Sequence, residues 1–401
     1  MFDFYNSFLL WSPLNLNTMD NFSFWLQTES RFGEGVVRQL PDTLKDWGVA
    51  RVCAVIDGGL RNNQHVEELK DRLRTTFADV FIAESDAAEP DYDYLDQFKA
   101  QFRPDYDVMI AIGGGSTLDL AKATSVLVTN PGPAISYRGF NLIKQAGIPV
   151  VAIPSTAGTG SEITPNAVFT DKKEMRKLGI NTNLYVPKLA LLDPLMTISC
   201  PRSVTVSSGV DAVVHTLESY VAKRTNPLSR MFAREAFRLL FHNLPGVVSD
   251  PQNVSLRAKV QRGAYCAGIG LMNSGAGPAG ALSYPLGVHF QVPHGIAGGV
   301  FVARIARFNA ERGYTDYAEL YDLIEGADLS LTPAEKALRF CDEMDRMLAA
   351  LEIPNTLGTF GVKSTDVPML AEQTMLLAGA LDQNPVAFGI AEVQSVLGAM
   401  V

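Results

Sequence analysis

The chain has 401 residues, of which 47% are hydrophobic and 19% are charged, and its formal net charge is −9. This composition is typical of a folded globular protein with more than one domain and excludes an intrinsically disordered chain. Because the charge is negative and no basic cluster occurs, we expect neither nucleic acid nor an acidic membrane surface as a partner. No apolar run is long enough to cross a bilayer.

Residues 1–24 are predicted to form an amino-terminal extension outside the first domain. The first 18 residues are apolar and aromatic, but they lack the basic start and the small-residue cleavage site of a signal peptide. Met19 is an alternative to Met1 as the first residue. The four cysteines are widely separated and form no CxxC pattern, which indicates reduced thiols and a cytoplasmic protein.

Residues 25–194 alternate short apolar runs with helical patterns, which predicts an α/β domain with a parallel, Rossmann-like sheet. Residues 52–56 (VCAVI) are predicted as a buried strand that ends at Asp57. A carboxylate there can accept hydrogen bonds from both ribose hydroxyls of an adenosine, which favours NAD as the cofactor. The alternative is that Asp57 only stabilises the turn that follows the strand. A helix over residues 64–77 and a strand over residues 80–83 are predicted next.

A glycine-rich turn follows the predicted strand at residues 107–112. Gly113, Gly114, Gly115 and Ser116 lead into a helical sequence. Three glycines let the backbone approach a pyrophosphate, and the start of the helix offers N–H groups and a positive dipole end. The spacing is not the common GxGxxG fingerprint.

A turn rich in glycine and hydroxyl residues follows the predicted strand at residues 150–153. Its sequence, PSTAGTGSE, covers residues 154–162. Parallel strands carry their ligands at their carboxyl ends, so this turn, the glycine-rich turn and Asp57 predict one dinucleotide site.

From residue 195 to residue 401 helical patterns dominate, which predicts an all-α domain. Helices are predicted over residues 209–222, 231–240, 254–272, 314–323 and 333–351, and the connection at residues 193–203 is the candidate domain boundary. Asp211 and His215 lie four residues apart, and therefore on one face of the first of these helices, where they can bind one divalent cation. The alternative is an exposed aspartate and an ordinary histidine. His242 is predicted to cap the end of the second helix.

The sequences GGGSTLDLAK at residues 113–122, PSTAGTGSEIT at 154–164 and GVDAVVHTLESY at 209–220 resemble signature blocks of the iron-containing (group III) alcohol dehydrogenases. Relatives of that fold include glycerol dehydrogenase and dehydroquinate synthase. The resemblance implies that the active site lies between a dinucleotide-binding α/β domain and a helical metal domain. It implies NAD contacts at Asp57, Gly114, Gly115, Ser116, Ser155, Thr156, Thr159, Asn166 and Lys177. Asn166 and Lys177 would contact the nicotinamide ribose, and Lys177 can alternatively be a solvated charge in a hairpin.

The resemblance also implies a divalent metal, Fe²⁺ or Zn²⁺, bound by Asp211, His215 and His294. The chain departs from the family pattern at two places where relatives carry histidines, because it has Gly280 and Tyr284 there. Three ligands still make a workable catalytic site. Tyr284 can act as a general acid/base or can be a core aromatic residue, and His289 is an alternative ligand.

The resemblance implies an NAD-dependent oxidoreductase that interconverts an alcohol and an aldehyde or ketone with the help of the metal. A sugar-like or hydroxy-acid substrate is compatible with the altered pocket. The alternatives are a lyase similar to dehydroquinate synthase that uses NAD transiently, and a metal-free family member that binds the dinucleotide without turnover. Like its relatives, the chain is expected to form a homodimer or a larger homo-oligomer.

Overall fold

The computed structural model describes residues 21–401. Both candidate start residues, Met1 and Met19, lie outside the described residues, as does the predicted extension apart from residues 21–24. The described chain forms two compact units. The first, which we call the α/β unit, comprises Leu26–Pro201 and Gln252–Gln261. The second, the helical unit, comprises the described residues 21–25 together with Arg202–Pro251 and Arg262–Val401. The units interleave along the chain and are not continuous segments. The domain bounds 1–24, 25–194 and 195–401 stay a prediction.

The strands of the α/β unit are β1 Glu29–Phe32, β2 Arg51–Asp57, β3 Asp79–Ser85, β4 Val108–Gly113, β5 Gly139–Phe140, β6 Val150–Pro154, β7 Asn166–Asp171, β8 Arg176–Asn181 and β9 Leu189–Leu192. Six of them form a sheet in which all the strands are parallel, in the order β1-β9-β6-β4-β2-β3. A second, three-stranded sheet has the order β5-β8-β7 and contains the antiparallel hairpin β7–β8. The helices among them are α1 Leu40–Asp46, α2 Gln64–Thr76, α3 Tyr92–Lys99 and α4 Gly115–Leu127.

Both faces of the large sheet are buried, as its continuous apolar strands predict. Side chains alternate along a strand, so neighbouring residues of β2 enter different clusters. Cys53 and Val55 pack in one cluster with α3 and α4, whereas Val52, Ala54 and Ile56 pack in the other with α1 and α2. The predicted α/β class with a parallel sheet is confirmed.

The helical unit contains the second half of the chain, apart from residues 252–261. Helices α5 (Arg202–Val221) and α9 (His294–Glu311) carry the candidate metal ligands, and α5 packs against both α9 and α6 (Pro227–Ser249). The helices from here to the end of the chain are α5 Arg202–Val221, α6 Pro227–Ser249, α7 Val254–Met272, α8 Pro278–Phe290, α9 His294–Glu311, α10 Tyr317–Tyr321, α11 Pro333–Ala350, α12 Val367–Met375, α13 Ala378–Leu381 and α14 Ile390–Gly398. Among residues 21–401, no helix combines the length and the apolar character needed to cross a membrane.

Several predicted helix bounds are wrong. Helix α6 begins before residue 231 because Asn226 and Ser229 form a capping box, and it continues past residue 240 to Ser249. His242 therefore lies inside the helix instead of capping its end, and its Nε2 lies 2.9 Å from the carbonyl oxygen of Leu323. The helix predicted over residues 314–323 covers only Tyr317–Tyr321, because the residues before it form the turn that follows α9.

Candidate functional site

Asp57 and the glycine-rich turn meet at the carboxyl edge of the large sheet. Strands β2 and β4 are paired with Ile56 beside Ile112, so the next residues, Asp57 and Gly113, are neighbours. A Cβ atom on Gly113 would lie 2.9 Å from the Cβ of Asp57, which leaves room only for glycine. Asp57 Oδ1 accepts a hydrogen bond of 2.9 Å from the N–H of Gly59, so the turn role considered for Asp57 is present.

The glycine-rich turn and the hydroxyl-rich turn are in direct contact. A Cβ atom on Gly114 would lie 3.3 Å from Cγ2 of Thr156, and one on Gly115 would lie 2.5 Å from Cγ2 of Thr159. The N–H of Ser155 donates to the carbonyl of Gly113 over 2.9 Å. The predicted dinucleotide-binding turns therefore converge at one place.

Helix α4 begins in this place, at Gly115, with Gly114 as its N-cap. The first N–H groups of a helix have no acceptor within the helix, and together with the dipole they favour an anion. Ser116 lies in this first turn and is half-buried, as are Thr156 and Thr159 opposite it. The arrangement can hold the phosphates of a dinucleotide.

Sequence reasoning missed a buried polar network that connects helix α4, which follows the glycine-rich turn, to the hydroxyl-rich turn and the residues after it. Lys122 is fully buried in α4 and donates to the carbonyl oxygens of Ser161 at 3.0 Å, Thr164 at 3.3 Å and Asn166. Its Nζ also lies 3.1 Å from Oδ1 of Asp119. A lysine on the apolar face of a helix is the signal that could have revealed this network.

The charges of this network are held out of water. Ser161 donates to Asp119 Oδ1 over 2.5 Å, so the carboxylate has a second partner besides Lys122. Burial lowers the pKa of Lys122, although Asp119 favours its charged form. Burial also raises the pKa of Glu162 to about 7. The network fixes the hydroxyl-rich turn against α4.

The structure does not bring Asn166 and Lys177 to one point. In the hairpin Asn166 pairs with Asn181, whereas Lys177 pairs with Thr170, four residues further along β7, which corresponds to about 13 Å. Lys177 lies 2.8 Å from Oε1 of Glu89 and its side chain is only 11% exposed, so it is not a solvated charge. Their contacts with a nicotinamide ribose stay a prediction.

Asp211, His215 and His294 form the candidate metal centre in the helical unit. Asp211 and His215 are one turn apart on α5, and His294 is the first residue of α9. Asp211 Oδ1 lies 3.6 Å from Nε2 of His215 and 3.7 Å from Nε2 of His294. One ligand atom from each residue lies within 4.8 Å of the others, and Asp211 is buried.

These separations fit a single ion. Two atoms each about 2.1 Å from zinc lie about 3.4 Å apart at the tetrahedral angle, close to the observed 3.6 and 3.7 Å. Two imidazoles and one carboxylate are ligands of both catalytic zinc and non-haem iron(II), and each of these sites keeps open positions. The donor set therefore fits a divalent metal with room for a substrate oxygen.

Small residues at the start of α9 let it approach α5 closely enough to form this centre. A Cβ atom on Gly295 would lie 1.8 Å from the carbonyl oxygen of Ser207 and 3.0 Å from the Cβ of Asp211. A Cβ atom on Gly299 would lie 2.4 Å from Cγ1 of Val210. His294 reaches Asp211 because no side chain separates the two helices there.

Gly280 adjoins a carboxylate. Its N–H donates to Oε1 of the buried Glu218 over 2.8 Å, and a Cβ atom on Gly280 would lie 3.1 Å from Oε2. Among the described residues, Oε2 has no hydrogen-bond partner. Burial raises the pKa of Glu218, although hydrogen bonds from backbone N–H groups of α8 and the nearby His215 oppose this shift. Sequence reasoning missed Glu218, which lies three residues after His215.

Helix α8 supplies two more side chains beside His294. The half-buried ring of Tyr284 packs edge-on against the imidazole, with 5.2 Å between the ring centroids, so it is not a fully buried core residue. Ser283 Oγ lies 3.1 Å from Nδ1 of His294, a contact that the sequence did not predict. His289, the alternative ligand, does not belong to the cluster of Asp211, His215 and His294 within the described chain.

Comparison with known proteins shows the same family over both halves of the chain. Residues 27–194 match the family model described as "Iron-containing alcohol dehydrogenase", and residues 205–401 match "Fe-containing alcohol dehydrogenase family, C-terminal". The chain is similar to the NAD-dependent methanol dehydrogenase of Bacillus methanolicus, with 31% identity over 354 residues, which are 87% of this chain and 92% of that protein.

Two further relatives agree. The sulfoacetaldehyde reductase of Bilophila wadsworthia is 29% identical over 370 residues, 92% of this chain and 96% of that protein. A crystal structure of a 1,3-propanediol oxidoreductase has a TM-score of 0.88 and 27% identity, and the match covers 95% of this chain and 100% of that one. The predicted oxidoreductase class is therefore confirmed, and the chain belongs to the iron-containing alcohol dehydrogenase family.

Proposed function

We propose that the chain catalyses the NAD(H)-dependent interconversion of an alcohol and its aldehyde or ketone, with one divalent metal bound by Asp211, His215 and His294. The observation that carries the proposal is the convergence of one carboxylate oxygen and two imidazole nitrogens within 4.8 Å. Membership of the iron-containing alcohol dehydrogenase family supports both cofactors. The donor set accepts both Fe²⁺ and Zn²⁺, which metal analysis of the purified protein distinguishes.

In the helical unit, Asp211 would contribute the negative charge of the metal site, and the two histidines would contribute neutral nitrogen ligands. A divalent cation in this position supplies a Lewis acid, which favours the alkoxide form of an alcohol and polarises a carbonyl group. The buried carboxylate of Asp211 gains its strongest interactions when a cation lies beside it, because little water screens it. Tyr284, which is in contact with His294, is the candidate for moving a proton to or from the substrate oxygen.

In the α/β unit, the start of α4 would bind the pyrophosphate of NAD, which supplies the hydride acceptor. Gly114, Gly115 and Ser116 would face the phosphates through their backbone, and Ser155, Thr156 and Thr159 would line the opposite side. Asp57 would accept hydrogen bonds from the adenosine ribose while also capping its own turn. We propose a small, polar alcohol as the substrate, because α8, which has no side chain to offer as a ligand at Gly280, places the phenol of Tyr284 beside His294, where it can hydrogen-bond to a polar group. We also propose a homodimer or larger homo-oligomer in the cytoplasm, as the resemblance implies.

Purified protein with NAD or NADH and a panel of alcohols and aldehydes tests this function by the absorbance of NADH. Metal-dependent turnover that is abolished by a chelator and restored by zinc or iron is expected. Asp211→Ala should lose metal and turnover but keep its affinity for NAD, because the phosphate-binding turns lie in the other unit. No turnover with any substrate, with or without added metal, would contradict the proposal.

Two other outcomes identify the alternatives. Product formation without net accumulation of NADH would indicate a lyase that uses NAD transiently. Binding of NAD by a protein that carries no metal and shows no turnover would indicate the metal-free family member. Metal content after gentle purification separates these results.

A further inference from the structure

Ser283 is a fully buried residue of α8 whose hydroxyl touches two groups. Its Oγ lies 2.6 Å from the carbonyl oxygen of Gly280 and 3.1 Å from Nδ1 of His294. A carbonyl oxygen can only accept, so the single hydroxyl hydrogen of Ser283 is donated to Gly280. The contact with His294 is then formed by a hydrogen on Nδ1, which donates to Oγ.

This order of donors fixes the state of the other imidazole nitrogen. In a neutral imidazole with its hydrogen on Nδ1, Nε2 carries a lone pair. Nε2 of His294 lies 3.7 Å from the carboxylate oxygen of Asp211. Two acceptors that face each other across this distance are stabilised by a cation between them, and not by a direct hydrogen bond. Ser283 therefore presents His294 to the centre in the form that binds a metal.

The other histidine of the centre has no such support. Nδ1 of His215 is buried and, within residues 21–401, has no hydrogen-bond partner. Metal-binding histidines ordinarily donate their second ring hydrogen to a fixed acceptor, which sets the tautomer and strengthens the ligand. In this centre that arrangement exists for His294 alone.

We propose that Ser283 is a positioning residue that sets the tautomer and orientation of His294, and that the three-ligand metal site depends on it. The inference rests on the proposed metal function. At Gly280 helix α8 has no side chain to offer as a ligand. Through Ser283, one turn later, the helix would still contribute to the site. Loss of the hydroxyl should weaken metal binding by about 10- to 100-fold, the range typical of a lost outer partner.

The test compares Ser283→Ala, Ser283→Thr and Ser219→Ala. Ser219 is a matched control because it is buried in α5 and its hydroxyl donates to the carbonyl of Thr216 three residues earlier, as Ser283 does to Gly280. Binding of Co²⁺ and Zn²⁺ is measured by competition with a chelator. Ser283→Ala should bind both metals more weakly, whereas Ser283→Thr and Ser219→Ala should bind within a few-fold of the wild type.

A second measurement follows the imidazole without metal. The chain has only 5 histidines, so selective ¹⁵N labelling of histidine resolves their tautomers by NMR at mildly alkaline pH, and His294→Asn identifies the signal. The wild type and Ser283→Thr should carry the hydrogen on Nδ1, and Ser283→Ala should not. An unchanged tautomer in Ser283→Ala would overturn the inference. If no variant binds metal but the tautomer changes as expected, the proposed metal function fails while the role of Ser283 in orienting His294 stands.

Discussion

A methyl group at position 115 has no room, and this makes Gly115→Ala a sharp test of the dinucleotide site. The new Cβ atom would lie 2.5 Å from Cγ2, 2.8 Å from Oγ1 and 3.1 Å from Cβ of Thr159. Carbon atoms in contact are ordinarily about 3.5–4.0 Å apart, so the overlap is about 1 Å. Rotation of Thr159 cannot relieve it, because its Cβ is also too close and its Oγ1 accepts from the N–H of Ser161. The backbone of one turn must move.

The expected cost can be divided between folding and binding. Overpacking of this kind costs about 1–3 kcal/mol of folding free energy. A displacement of about 1 Å would also remove one of the charge-assisted hydrogen bonds to a phosphate, each of which is worth about 1.5–3 kcal/mol. Because 1.4 kcal/mol is a factor of ten, the Kd for NADH should rise about 10- to 100-fold. Titration calorimetry measures this Kd, and urea unfolding measures the folding term.

Two variants check the reasoning. Gly398→Ala, at the end of α14, places its methyl group where nothing lies within 4 Å, and it should change neither quantity appreciably. In a Thr159→Ala background the two shortest contacts are absent, so Gly115→Ala should then weaken NADH binding much less. Equal, additive losses in both backgrounds would refute the steric explanation, and unchanged affinity in the single variant would refute the site.

Three further changes test the centre and the buried network. Gly280→His should tighten Zn²⁺ binding at least tenfold in a chelator competition, because one nitrogen of the new imidazole can bind the metal while the other donates to the unpartnered Oε2 of Glu218. Gly280→Ala, which adds neither a ligand nor a donor, should not tighten it. Gly295→Ala should lower the free energy of unfolding by about 1–3 kcal/mol or more in urea, because its methyl group would meet the carbonyl of Ser207 at 1.8 Å. Glu162 has a pKa raised from 4.5 to about 7, so the folded protein binds this proton more tightly than the unfolded chain does. Its contribution to stability therefore falls as the pH rises from about 4.5 to about 7. The excess stability of Glu162→Gln over the wild type should rise across that interval, and parallel pH profiles would contradict this.

The elements that sequence reasoning located correctly are those that a local pattern determines. The strand at residues 52–56 is an unbroken apolar run that is buried on both faces, and the glycine-rich turn directly follows another such run. Asp211 and His215 could be placed together because the spacing of four residues is fixed by the helix itself. Their grouping with His294 came from the resemblance, since nothing local joins residues so far apart in the chain.

The elements that were missed depend on tertiary contacts. Helix α8 contains Pro285 and two glycines, residues that ordinarily predict a break, so no helix was predicted. The contact between Ser283 and His294 requires the chain to turn sharply between α8 and α9. Gln291 makes that turn with φ of 55°, a left-handed conformation that is uncommon for residues other than glycine. The residue type of Gln291 does not predict this conformation.

The two unusual residues of α8 are best explained together. Gly280 and Ser283 lie three residues apart, on one face of the helix, and the hydroxyl of Ser283 is bonded to the carbonyl of Gly280. At position 280 the helix offers a backbone N–H to Glu218 instead of a ligand. At position 283 it offers an acceptor to a histidine that belongs to another helix. In the proposed arrangement helix α8 serves the centre by orienting His294, and a metal site with only three ligands would gain most from a ligand that is already in the right tautomer before the metal arrives.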